Sequence, residues 1–265
     1  MMRKWLFLLC SFGVANAASV STPILQVEKD RAAVVADNLQ PGMSGYIVRK
    51  FDDTHSSIIA NARVEETNSA NGRTLLRVSQ YDGVQQNALP HGNWTPNTSD
   101  VAYLANDYDR ALLIAPNDDA YYAITKSTPG VAWIHPDRFA AYLSSEGHPT
   151  PLVKDFHNYC TANSVGLLYV QSADTLFTLD CKTFALLQTA PSLNAVNKPM
   201  LPFWSRVQNI RAAWWGEGSS RLEQFDPYYL EQIALNNPKN RSLYDLYKAK
   251  FSDKSALLRY FDIKE

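Results

Sequence analysis

No apolar run in the sequence approaches the ~20 residues that a membrane-spanning helix requires. The longest, 5–14, is about 10 residues long. Glycine is sparse, with 11 in 265 residues, and it never gathers into a phosphate-cradling loop, a dinucleotide fingerprint or a Gly-x-Ser-x-Gly elbow. Histidine is sparser still. His91, His135, His148 and His157 have no partner at a metal-ligand spacing, so the sequence offers no zinc site. Net charge is −1, which excludes the basic excess of a nucleic-acid-binding chain. There are three cysteines, and one of them, Cys10, lies in the first segment.

That segment has the layout of a secretory signal peptide: Arg3 and Lys4, the short apolar run, then Ala15-Asn16-Ala17 as a small-x-small cleavage site. Its apolar run is too short to be kept as an anchor. Leu9 stands where a lipid-attachment box wants a small side chain, which argues against lipidation at Cys10. Residues 1–17 are therefore read as a removable leader and the remainder as an exported chain. Periplasm, outer membrane and cell surface all stay open as destinations. Removal takes the 25 basic residues to 23 against 26 acidic. From Lys239 onward seven Lys or Arg face four Asp or Glu, so the C-terminal part is mildly basic.

Cys160 and Cys181 remain. Two thiols in an oxidising compartment most simply pair, and the alternative is two buried free thiols.

Short strand-like runs at 31–36, 45–49, 57–64, 74–81 and 101–104 are punctuated by turn residues. Pro41-Gly42 suits the centre of a type II turn and Asn71-Gly72 a hairpin. Several strands at near-regular spacing predict an N-terminal small β barrel, SH3-like or related. After Asn117 the texture changes to helices at 118–126, 136–145 and 152–162, then two apolar runs at 166–171 and 175–179. An amphipathic helix follows from Arg241. The fold class read from this is α+β: the barrel, then an α+β module with C-terminal helices. The divisions are 1–17 leader, 18–116 β-rich, 117–200 α+β, and 201–265 an aromatic segment with C-terminal helices packing on the preceding parts. Trp204, Trp214 and Trp215 are expected in the core, the alternative being an exposed aromatic patch.

Candidate chemistry is thin. Asp52, Asp53, His55 and Ser56 place acid, base and hydroxyl together, but neighbours on a strand point to opposite faces, so a polar turn is expected. Asn117-Asp118-Asp119 fits a helix N-terminus better than a calcium loop. No catalytic constellation, metal or cofactor is read from the sequence.

Several strings resemble the N-terminal region of the PgbA and PgbB type plasminogen-binding proteins of Helicobacter and its relatives. They are Gly42-Met43-Ser44-Gly45 and the segments 51–62, 86–90, 109–117, 133–137, 155–160 and 201–206, collinear over roughly 20–215. The resemblance implies a non-catalytic binding protein with host plasminogen as partner, captured through a lysine at or near the C-terminus. A kringle clamps such a lysine with acidic groups for the ammonium, basic groups for the carboxylate and aromatic walls for the methylenes. On that resemblance the lysine is expected to be Lys264, in Ile263-Lys264-Glu265. The rival expectation is a structural or assembly factor in the periplasm or outer membrane, acting in a flagellar or secretion complex. An uncharacterised enzyme comes third.

Overall fold

The structure, a computed structural model, describes residues 19–68, 71–83, 94–192, 198–250 and 255–263. Seven strands come first: β1 (Val20–Pro23), β2 (Gln26–Glu28), β3 (Arg31–Val35), β4 (Ser44–Lys50), β5 (Ser56–Asn68), β6 (Arg73–Gln80) and β7 (Val101–Leu104). They form one antiparallel sheet in the order β1-β7-β4-β5-β6-β3-β2. Side chains alternate along β6, with Thr74 and Leu76 buried and Arg73 and Arg77 outside. The Asn71-Gly72 turn joins β5 to β6, with Gly72 at φ 64° and the Asn71 side chain accepting from Arg73 N. Register shifts at Ile47/Val48 and Val64/Glu66 add twist, as bulges do.

The sheet curls. β1 and β2 lie at opposite edges yet are joined only by Ile24-Leu25. Thr22 Oγ1 donates to Val35 O at 2.8 Å, which brings edge strand β1 to β3, the neighbour of the opposite edge. The small barrel expected from the sequence is thus a curled antiparallel half-barrel of seven strands.

The second sheet is mixed. β8 (Arg110–Ile114), β9 (Ala132–Ile134), β10 (Leu167–Ser172), β11 (Thr175–Asp180) and β12 (Leu186–Pro191) take the order β12-β11-β10-β8-β9. β8 runs parallel to β9 and β10, and the crossovers carry α1 (Asp118–Ser127), α2 (Pro136–Glu146) and α3 (Val153–Asn163). The change of sheet falls between Leu104 and Arg110, so β8 precedes residue 117 but belongs to the second sheet.

Local chemistry sets the helix ends. The Asn117 side chain caps α1 by accepting from Ala120 N at 2.9 Å, Pro136 opens α2, and Gly147 closes it at φ 76°. β8 and β10 are buried on both faces, as a covered parallel pair requires. Ala111, Leu113, Leu167 and Tyr169 join the core of the curled sheet with α1. Leu112, Ile114, Leu168 and Val170 face the other core, which α2, α3, α4 (Phe225–Asn236) and α5 (Arg241–Lys250) complete, with α6 (Ser255–Leu258) alongside. Among the described residues no helix is long and apolar enough to cross a membrane.

Candidate functional site

The two sheets meet at the turn after β11, residues Asp180-Cys181-Lys182-Thr183. Buried Asp180 accepts from Ser44 N at 2.8 Å, Tyr108 OH at 2.7 Å, Lys182 N at 3.0 Å and Thr183 N at 2.9 Å. Four donors satisfy a carboxylate that would otherwise be costly to bury. Burial, and then the adjacent Asp180 charge, pushes the Tyr108 hydroxyl well above its usual range, so it stays a donor. Thr183 Oγ1 donates to Gly42 O at 2.7 Å. A Cβ at Gly42 would stand 2.2 Å from the Ala185 Cβ, and φ is +96°, so glycine lets the turn before β4 approach the loop before β12 here.

Lys182 crosses the seam. Its side chain is 6% exposed, and Nζ donates to Asp107 Oδ2 at 2.9 Å and to Tyr46 OH at 2.5 Å. The ammonium also lies 4.4 Å from the Tyr46 ring centroid. Burial pulls its pKa down, but Tyr46 and Asp107 outweigh that, and the net direction is upward.

Beside this pair opens a cleft, a cavity of about 330 Å³ bounded by Asn61, Arg63, Arg77, Asp82, His157 and Thr161. A second hollow of about 430 Å³ shares Tyr46 and Thr161 and reaches Tyr81 and Tyr103. His157 Nε2 meets Asp82 Oδ2 at 2.9 Å and Nδ1 meets Lys182 O at 2.7 Å, fastening α3 across the mouth. Partial burial raises the Asp82 pKa, but bonds from Asn61 and His157 outweigh it and hold the carboxyl below its ordinary value. Arg63 and Arg77 stand directly opposite on β5 and β6, and Arg31 opposite Arg77 on β3. Arg77 pairs with Asp30 and Arg31 with Glu65. Like charges opposed on a sheet repel, so this face is suited to acidic or hydrogen-bonding groups.

The residues singled out in the sequence divide. Cys160, in α3, and Cys181, after β11, form a disulfide with Cα atoms 6.0 Å apart, bolting the helix to the seam. Asp52 accepts from Thr54 N, His55 N and His55 Nδ1 in an exposed turn, while Ser56 starts β5, so the polar turn holds. The backbone bond from Thr54, then the His55 ring, lowers the Asp52 pKa to about 2. His135 caps α2 by accepting from Asp137 N, and His148 Nδ1 meets Asp155 at 2.9 Å. Lys264, His91, the string 86–90 and the leader 1–17 lie outside the described residues.

One expectation is overturned. Trp204 is buried, at 7%, against Tyr121, but Trp214 is 98% and Trp215 81% exposed. The core they were expected to fill is closed by Phe225, Tyr229 and Tyr247 instead. Sequence reasoning also missed Tyr46, Asp82, Asp107 and Lys182; the one available signal was the position of Lys182 beside Cys181. Among the described residues no group of three or more His, Cys, Asp or Glu could hold a metal ion.

A family described as plasminogen-binding protein pgbA, N-terminal, matches residues 19–233. Two curated relatives, both named plasminogen-binding protein PgbA, come from Helicobacter pylori strains 26695 and J99. They are 28% and 27% identical over 231 residues, 84% of this chain and 50% of each relative. The chain thus spans about half the length of the curated relatives it matches. No solved structure matches it.

Proposed function

The chain belongs to the plasminogen-binding protein pgbA N-terminal family, and from that membership we propose that it is an exported, non-catalytic binding protein with plasminogen as partner. The membership, extending over residues 19–233 and so over both sheets, carries the reading. The geometry supports it. Two ion pairs, Lys182 with Asp107 and His157 with Asp82, hold the walls of the cleft in place, an arrangement for fixed recognition of a surface. The curled sheet then acts as a recognition platform in the manner of an SH3-like or related barrel.

Capture would run through lysine, because a kringle site closes on an ammonium and a carboxylate together. Lys264, with the Glu265 side-chain carboxylate next to it, offers both charges, and Lys248 at the end of α5 adds to the basic surface. The place of action is the periplasm, outer membrane or cell surface.

The test is binding of the chain freed of residues 1–17 to immobilised plasminogen, with and without a free lysine analogue. Binding that the analogue competes away, and that Lys264→Ala weakens, is expected. Absence of binding, or binding indifferent to both, would refute the proposal and leave the envelope-assembly reading.

A further inference from the structure

Residues 211–217, Arg-Ala-Ala-Trp-Trp-Gly-Glu, are all exposed, and they form a finger that stands off the turn between α2 and α3. Its base is clamped on both sides. Arg211 N donates to Ser144 Oγ at 3.0 Å and Ala213 N to Gly147 O at 2.8 Å. On the return, Thr150 N donates to Gly218 O at 3.2 Å and Thr150 Oγ1 to Ser220 O at 2.7 Å. Gly147 permits the approach, since a Cβ there would stand 2.7 Å from Ala213 N and Cβ. The tip turns at Gly216, φ +114°, where Ser219 Oγ donates to Gly216 O. The fold therefore fixes the base of a short loop in order to hold two neighbouring indoles in water.

Nothing in the fold needs them there, because Trp204 and the α4–α5 aromatics fill the core. Each Trp offers roughly 150–250 Å² of surface to bury. Two together fall short of the ~800 Å² per partner that a stable protein interface takes. Nor does the apolar surface continue around them: Arg211, Glu217, Ser220 and Arg221 are exposed and polar. A protruding tip with a polar collar suits a surface that needs no matching shape. Indole rings settle at the headgroup level of a bilayer, where the apolar ring is buried and the N–H stays hydrogen-bonded. Arg206 is paired with Asp137, and Arg221 donates to Asn209, whereas Arg211 makes no ion pair among the described residues. Its guanidinium is available to a lipid phosphate.

We propose that the Trp214-Trp215 finger inserts into the interfacial zone of a phospholipid bilayer and holds the protein peripherally on a membrane, with Arg211 on the headgroup phosphates. The proposal is independent of plasminogen binding.

It is tested by co-sedimentation of the protein freed of residues 1–17 with phosphatidylcholine vesicles and with vesicles containing phosphatidylglycerol, alongside the W214A/W215A variant. Both indoles are at the tip, so the variant should unfold at the same temperature as the wild type. Expected are partition of the wild type, quenching of its Trp fluorescence by bromine-labelled acyl chains, and a loss of about tenfold or more in the double variant. Arg211→Gln should weaken binding mainly to the anionic vesicles. Equal partition of wild type and double variant, or no partition of either, would overturn the proposal. So would a dimer or a protein complex that the double variant dissolves while vesicle binding is unchanged.

Discussion

Replacing Lys182 by Met removes a cation from the seam between the sheets and leaves its partners in place. Lys182 is 6% and Asp107 17% exposed at the side chain, so the abandoned carboxylate stays largely desolvated. Breaking a buried pair by deleting one partner costs roughly 3–5 kcal/mol, and the residual exposure of Asp107 argues for the lower end, about 3 kcal/mol. Loss of the ammonium over the Tyr46 ring adds on the order of 1 kcal/mol. For a chain of this size each kcal/mol moves Tm by ~2–4 °C, so Lys182→Met should unfold roughly 8–16 °C below the wild type. Much of that cost is the orphaned charge. Adding Asp107→Asn should therefore restore part of it, with a coupling of about 1.5–3 kcal/mol in a double-mutant cycle read by urea unfolding. A single variant within about 1 kcal/mol of wild type, or strict additivity of the two, would refute the claim that the pair holds the seam.

The bridge and the ammonium make two further expectations. Cys160 and Cys181 are 21 positions apart, and closing such a loop is worth about 3 kcal/mol in the chain-entropy model, so a C160A/C181A variant should lose roughly 6–12 °C in Tm; an unchanged melting curve would show that the bridge adds no net stability. The Lys182 pKa is raised in the folded state, so its contribution is complete below the unfolded value of ~10.4 and drains away as pH rises through the higher folded value. The stability difference between wild type and Lys182→Met should shrink above that pH, and a difference that stays constant to strongly alkaline pH would count against the assignment.

The curled sheet was legible where turn chemistry punctuates it. Asn71-Gly72 and Pro41-Gly42 both place glycine at positive φ, at 64° and 96°, and the strands beside them carry apolar residues on one face. α1 and α2 were legible from Asn117, Pro136 and Gly147, which act through the backbone next to them. β8 was not, because all but its first residue are buried and a strand covered on both sides shows no alternation. β9 is three residues, too short for any period. The site was hidden for another reason: Lys182 finds Tyr46 across 136 positions and Asp107 across 75, and spacing rules reach only a few. Trp214 and Trp215 were misread because large aromatics bury by default. The signal against burial was local: the small Ala212-Ala213 precede them and Gly216 follows, so the segment reads as a turn.

The family match ends at residue 233, inside α4, but the folded body does not. α4 is held to the second sheet by Asp226, which accepts from Ser172 Oγ and Ala173 N, and by Asn237, whose side chain reaches Phe184 O and Leu186 N. Its other side is closed by α5, where Tyr247 OH donates to Leu230 O at 2.9 Å. Phe261 then packs edge-on against Tyr244 and Tyr247, and Asp262 N donates to Pro238 O. Tyr229, Leu230 and Ile233 are fully buried, in the same core as Leu243 and Tyr247 of α5. The basic end of α5 is accordingly part of the same packed unit as the cleft. Lys250 Nζ donates to Asp174 at the β10–β11 turn, and Lys248 lies over the Tyr244 ring. The positions of Lys248 and Lys250 thus depend on the packing of α5 against the rest of the fold.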